Sequence, residues 1–165
     1  MSDAPASWID PFLQREALPD GYRAVIREQI EPLGAEIIAA ATARGDGGQG
    51  PLVVGICGAQ GSGKSTLTAA LSAQLGAAGL RVAGLSLDDL YLTRAERQRL
   101  SRTVHPLLAT RGVPGTHDVA LGTSTFARLG EGGAVALPSF DKGVDDRRPR
   151  DAWPRVSGPV HVILF

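Results

Sequence analysis

Gly58-Ala59-Gln60-Gly61-Ser62-Gly63-Lys64-Ser65 meets the phosphate-loop pattern G-x-x-x-x-G-K-[ST] at every fixed position. Before it, Leu52-Val53-Val54-Gly55-Ile56-Cys57 reads as a buried strand; after it, Thr66 to Ala78 reads as a helix. Strand, glycine loop and helix in that order separate a phosphate cradle from a glycine-rich turn that carries a chance Lys-Ser. The chemistry needs these residue types. Successive backbone N–H groups must turn inward around a polyphosphate, so side chains are unwelcome at Gly58, Gly61 and Gly63. The helix start adds partial positive charge. Ala59, Gln60, Ser62 and Thr66 complete the nucleotide-contacting run. Lys64 brings a full charge to the β- and γ-phosphates, and the Ser65 hydroxyl is an oxygen ligand suited to Mg²⁺.

The 165 residues are 43% hydrophobic and 21% charged with zero formal net charge, enough for one ordinary globular core. A general nucleic-acid binder would carry a basic excess, so none is expected. The single cysteine, Cys57, excludes an internal disulfide framework and fits a reducing compartment, the cytoplasm by default. At the end of an apolar strand it reads as a buried small hydrophobe. No apolar run reaches membrane-spanning length and no signal peptide is visible at Met1.

Residues up to about Pro19 are weakly patterned. Tyr22, Ile26, Ile30, Leu33 and Ile37 then recur at helical spacing, with Val25 and Ile38 alongside. They predict an amphipathic helix packed on the sheet and kinked or broken at Pro32. Gly45 to Gly50 reads as a flexible linker, which gives an N-terminal helical segment over residues 1–50 and a core over 51–165. After the loop, Leu67, Leu71 and Leu75 make one apolar stripe, and Gly79 is placed to end the helix. Arg81 to Leu87 reads as a second strand. Thr93 caps a polar helix through Arg102, whose Arg94, Arg97, Arg99 and Arg102 read as a solvated face. Val104 to Asp118 is loop-like, Val119 to Leu129 a weak helix, and Val135-Ala136-Leu137 a short strand. Ser139 to Val156 is charged and irregular. Val160 to Phe165 reads as a buried parallel strand on which the chain stops. The expected fold is α/β of the P-loop NTPase type, a parallel sheet flanked by helices. Because ligands lie beyond the carboxyl ends of such strands, it is expected to be incomplete at the C-terminal side, as a fragment or truncated product would be.

Ser86-Leu87-Asp88-Asp89-Leu90-Tyr91 ends the second strand, at the edge where such folds bind ligands. A carboxylate there can take the proton of an alcohol that attacks a γ-phosphate, or reach a metal-bound water. Asp88 and Asp89 could equally cap the turn. Together with the preceding loop, the pair favours the functional alternative.

At these residues the chain resembles the P-loop kinases of small metabolites (uridine kinase, phosphoribulokinase, pantothenate kinase) and most of all D-glycerate 3-kinase. The likeness runs through Ser86 to Thr93, His105-Pro106-Leu107-Leu108, Arg111-Gly112-Val113-Pro114-Gly115-Thr116-His117-Asp118, Leu137-Pro138-Ser139-Phe140-Asp141-Lys142, Arg147 and Trp153-Pro154. It implies phosphorylation of a small hydroxylated acid, with ATP and Mg²⁺. It implies Asp88 as general base, Lys64 and Ser65 as phosphate and metal contacts, and Asp88, Tyr91, Arg111, His117, Asp118, Asp141 and Lys142 around the acceptor. Arg111 suits a carboxylate through paired hydrogen bonds; His117 would either donate to the acceptor or brace its loop. Asp141, Lys142 and Arg147 fit a solvated charged loop almost as well. Similar kinases continue the last strand into Glu-Gly-Trp and further lid elements, which do not follow Phe165 here. Two other functions stay open: a nucleotide-binding module without catalysis, and an NTPase that couples hydrolysis to a partner's motion.

Overall fold

Apolar β-branched residues on either side of the glycine loop build the sheet that carries it. The computed structural model describes residues 8–44 and 50–165, so Met1 and nearly all of the expected linker at 45–50 lie outside the described residues. β1 (Leu52–Val54), β2 (Val82–Gly84) and β7 (Val162–Leu164) form a parallel sheet in the order β1-β7-β2. Registers run Val53↔Ile163 and Ala83↔Ile163, so the last strand is the central one. All three β7 residues are buried, as a strand covered on both faces requires.

The strand before the loop is shorter and less buried than its composition suggests. The strand ends at Val54, although Ile56 N still donates to Phe165 O; Val53 is 51% exposed and Cys57 is exposed. β1 is an edge strand; Leu52 and Val54 meet the helices while Val53 points to the other face. The expectation of a buried Cys57 therefore fails.

α4 (Lys64–Ala77) follows the loop and buries Ala70, Leu71 and Leu75. Its end is closed by Gly79 N donating to Gly76 O and Leu80 N to Leu75 O. Against it lies a continuous helical run: α2 (Tyr22–Val25), a π turn over Ile26–Ile30, and α3 (Glu31–Arg44). The run is not broken at Pro32. Proline lacks an N–H and crowds the carbonyl of residue i−4, and the wide π turn just before it relieves both. Ile26, Ile30, Gly34 and Ile37 are buried and Leu33 is exposed. Gln74 fills the space a Gly34 side chain would need, and its Nε2 donates to Glu31 O.

The weakly patterned start hides another helix, α1 (Ile9–Arg15), which buries Ile9, Phe12 and Leu13 in the same core as Leu71, Val162 and Leu164. At 7 residues it is too short to show a period, and its stability comes from packing.

The chain divides into two compact units, and the division does not fall at residue 50. The first joins Met1–Gly84 with Val160–Phe165; the second is Leu85–Pro159. In the second, α5 (Arg94–Thr103) and α6 (Val119–Glu131) accompany antiparallel pairs. β3 (Ala134–Ala136) pairs with β6 (Arg155–Ser157), and β4 (Phe140–Asp141) with β5 (Asp146–Arg147). The charged stretch from Ser139 to Val156 is thus ordered by pairing that its composition does not advertise. Among the described residues no helix is long and apolar enough to cross a membrane.

Candidate active site

The phosphate loop owes its shape to its glycines. Gly63 is the N-cap of α4 at φ 84°, a left-handed conformation that side-chain-bearing residues rarely adopt. A Cβ on Gly58 would stand 2.7 Å from Ser62 Oγ, too close to fit unless Ser62 moved. No side chain caps α4, so its first-turn N–H groups are not spent on one. Lys64 Nζ donates to Gly58 O at 2.8 Å and Ala59 O at 2.6 Å, which holds the ammonium over the loop. Ala59, Gln60, Gly61, Ser62 and Ser65 are exposed, and Thr66 is half-buried. The geometry fits a polyphosphate: backbone donors, little steric cover and one mobile cation. The Ser65 hydroxyl, in the first turn of α4, is open for an oxygen-seeking cation.

In the second unit, the turn after β2 gives its two aspartates different work. Ser86 caps the 3₁₀ turn Leu87–Leu90: its Oγ accepts from Asp88 N, and Asp89 Oδ2 accepts from Ser86 N. Asp89 Oδ1 also accepts from Phe140 N. The capping alternative therefore belongs to Asp89, whose carboxyl is pushed up by burial. The Asp88 side chain takes no part in the cap. Its Oδ1 accepts from Tyr91 Oη at 2.8 Å and its Oδ2 pairs with Lys142 Nζ at 2.6 Å. The Lys142 ammonium, against the effect of burial and with help from Tyr91, holds the Asp88 carboxyl below its ordinary value. Burial and then the Asp88 hydrogen bond push the Tyr91 phenol up to about 12, so it stays a donor.

Backbone pairing brings the next block in. Tyr91 and His117 form an isolated antiparallel bridge, flanked by Leu92 N donating to Thr116 O and Asp118 N to Leu90 O. The His117 ring lies 4.6 Å from the Tyr91 ring, and its Nε2 is buried without a hydrogen-bond partner. Asp118 caps α6 through Leu121 N and pairs with Arg147, whose Nη2 also donates to Tyr91 O. Asp141 is used locally: Oδ1 accepts from Gly143 N and Val144 N, and Oδ2 pairs with Arg148. Arg111 pairs with Asp145.

Of the site residues read from the sequence, then, Asp88, Tyr91 and Lys142 meet directly, His117 joins through Tyr91, and Asp118 through Arg147. Arg111 is tied to Asp145, and Asp141 to its own turn. The loop residues belong to the first unit.

Three residues of the cluster escaped the sequence reading: Arg97, Phe140 and Asp145. Arg97 is fully buried, not on a solvated face. It pairs with Asp145 and donates to Leu92 O, Ala109 O and Asp145 O. A signal existed. α5 is polar nearly all round, so its inward position had to fall to a polar residue. Phe140 is the apolar floor, edge-on to Tyr91 at 5.2 Å. The Arg97 and Arg111 guanidiniums lie 5.8 and 5.9 Å from its centroid.

The chain as a whole is similar to known proteins. The chain is 40% identical over 126 residues to "D-glycerate 3-kinase, chloroplastic" of Arabidopsis thaliana, covering 70% of this chain and 27% of that protein. The solved D-glycerate 3-kinase of Cryptococcus neoformans var. grubii superposes with a TM-score of 0.64 at 33% identity, over 82% of this chain and 50% of that one.

The chain is D-glycerate 3-kinase-like, with a P-loop kinase fold.

A further match is "Uncharacterized kinase mug58" of Schizosaccharomyces pombe, 38% identical over 115 residues, 65% of this chain and 42% of that protein. The chain thus spans half or less of these relatives' lengths. The family described as "Methylmalonyl Co-A mutase-associated GTPase MeaB" matches residues 31–91. That match holds the phosphate loop and ends at Tyr91, before the segments that bring in His117, Lys142 and Arg147.

Proposed function

We propose that this protein is an ATP-dependent kinase that phosphorylates a hydroxyl of a small acid, glycerate first among candidates. The loop from Gly58 to Thr66 holds the nucleotide phosphates, and Lys64 neutralises charge on the β- and γ-groups. Ser65 would hold a Mg²⁺ ion through its hydroxyl, and the ion would withdraw charge from the phosphates. Asp88 accepts the acceptor's hydroxyl proton as that oxygen bonds to the γ-phosphorus; the bond from γ-phosphorus to the β,γ-bridging oxygen breaks and ADP leaves. Arg111 and His117 take the acceptor's carboxylate and hydroxyls, and Tyr91 and Lys142 orient Asp88. The single cysteine and balanced charge fit work on a metabolite in the cytoplasm.

The observation that carries this reading is the division of labour in one turn: Asp89 is consumed by the fold, while the Asp88 oxygens meet the side chains of Tyr91 and Lys142. A coupled ADP-release assay with D-glycerate, uridine and pantothenate, run with ATP and with GTP, tests it. Glycerate-dependent turnover with ATP is expected. Acceptor-independent hydrolysis, above all of GTP, would favour the NTPase reading that the residue 31–91 match supports. Nucleotide binding with no turnover on any acceptor would leave a binding module.

A further inference from the structure

Arg97, Asp145 and Arg111 form a line of charge in which one carboxylate serves two guanidiniums. Asp145 Oδ2 lies 3.0 Å from Arg97 Nη2, and its Oδ1 pairs with Arg111 Nη1. The two arginines differ in access. Arg97 is 0% exposed and Arg111 is 35% exposed. A buried guanidinium needs a counter-charge, and Asp145 is the carboxylate that supplies it. The group also has a fixed geometry. Arg97 ties Leu92 O, Ala109 O and Asp145 O together, so it clamps the strand leaving the Asp88 turn, the segment leading to Arg111 and the turn between β4 and β5. Asp145 itself sits at φ 56°, a conformation that costs a non-glycine residue energy and persists only where neighbours impose it. Burial works to raise its carboxyl, and the Arg111 and Arg97 guanidiniums together outweigh that effect and leave it ionised.

We propose that Arg97 is a buried specificity-determining residue: by taking up the charge of Asp145 it leaves Arg111 with a net positive charge for an anionic acceptor. This rests on Arg111 as the acceptor's carboxylate contact. With Arg97 neutral, Asp145 would cancel Arg111, and an incoming carboxylate would meet a satisfied ion pair. With Arg97 charged, the triad keeps one positive charge in excess, and of its two guanidiniums only that of Arg111 is open to solvent. Arg97 touches no substrate; it acts through Asp145.

The test is the dissociation constant of D-glycerate, measured by calorimetry with saturating ADP and Mg²⁺, alongside that of ADP. Arg97→Gln should weaken glycerate about 3- to 10-fold, the scale of one partly screened charge, and leave ADP unchanged. Arg97→Lys should stay near wild type. Arg97→Gln combined with Asp145→Asn should recover, since removing both charges restores the excess on Arg111. A merely structural Arg97 predicts no recovery, so a double variant as weak as Arg97→Gln overturns the proposal. Glycerate affinity indifferent to Arg97→Gln but lost in Arg111→Ala overturns it too, while leaving the acceptor site intact. Wild-type affinity in Arg111→Ala, or no glycerate binding by the wild type, sinks the acceptor reading and this inference with it. Should Arg97→Gln not fold, Asp145→Asn alone decides: binding as tight as wild type or tighter is expected, and a fall to the Arg111→Ala level refutes it.

Discussion

Asp88 and Asp89 are adjacent and chemically identical, yet their surroundings assign them opposite tasks. Asp89 closes the cap of its turn and is pushed towards the neutral form by burial. Asp88 is held ionised by Lys142, with Tyr91 on its other oxygen. Asp88→Asn should therefore cost about two to four orders of magnitude in turnover, the scale of a lost general base, with ATP affinity nearly unchanged. Lys64→Ala should lower nucleotide affinity and turnover together. Equilibrium nucleotide titration beside steady-state kinetics separates the two, and equal loss of ATP binding in both variants would contradict the assigned roles. The pH dependence has a definite sign. A base held below the ordinary carboxylate value, about 3.9, stays active until the pH falls below it. Lys142→Met removes the chief stabiliser of the charged form, so the Asp88 value rises. The acid limb of kcat/KM should then move to higher pH; a limb that moves down or stays would exclude Lys142 as the cause. Any stability from the Asp88 pairs is likewise present above the unfolded value and lost as pH falls through the folded one.

Elements here are set by end signals as much as by periodicity. α5 is almost devoid of apolar residues, and its start is fixed by a capping box: Thr93 Oγ1 accepts from Glu96 N, and Glu96 Oε2 accepts from Thr93 N. Thr93→Ala should cost about 1 kcal/mol in urea unfolding. A cost near zero would mean that Arg97 anchors the helix unaided. The cap was legible because Thr-x-x-Glu is local. That α5 turns a polar residue inward was legible in its composition; that the residue is Arg97 was not, because its partners Ala109 and Asp145 are remote in sequence. The same division explains the N-terminal helices. The run from Tyr22 shows a clear period, though the π turn before Pro32 and the close approach of Gln74 to Gly34 leave Leu33 outside. α1 shows no period, and packing alone makes it a helix.

Taken whole, the chain threads its last residues into the middle of its first unit. Val162, Ile163 and Leu164 separate β1 from β2 and are 0–1% exposed. Leu164→Ala should cost about 2–5 kcal/mol, the range for emptying a buried leucine site. Because Leu164 pairs with Val54, just ahead of the loop, nucleotide affinity should fall with stability. Thermal unfolding with and without ADP measures both; a change under 1 kcal/mol would mean that the strand is not the sheet's centre.

The sequence by itself determined the phosphate loop and its flanking strand and helix, the cap of α5, and the parallel α/β class. Each is written in residues close along the chain, where steric and hydrogen-bonding rules act directly. Only the tertiary structure decided that β7 is central, that Cys57 is exposed and that Arg97 is buried. It also decided that the Asp89 carboxylate, not that of Asp88, closes the cap of the turn and accepts from Phe140 N. Those outcomes depend on which remote segment arrives opposite a given side chain, and burial and charge pairing between distant residues carry no local signature.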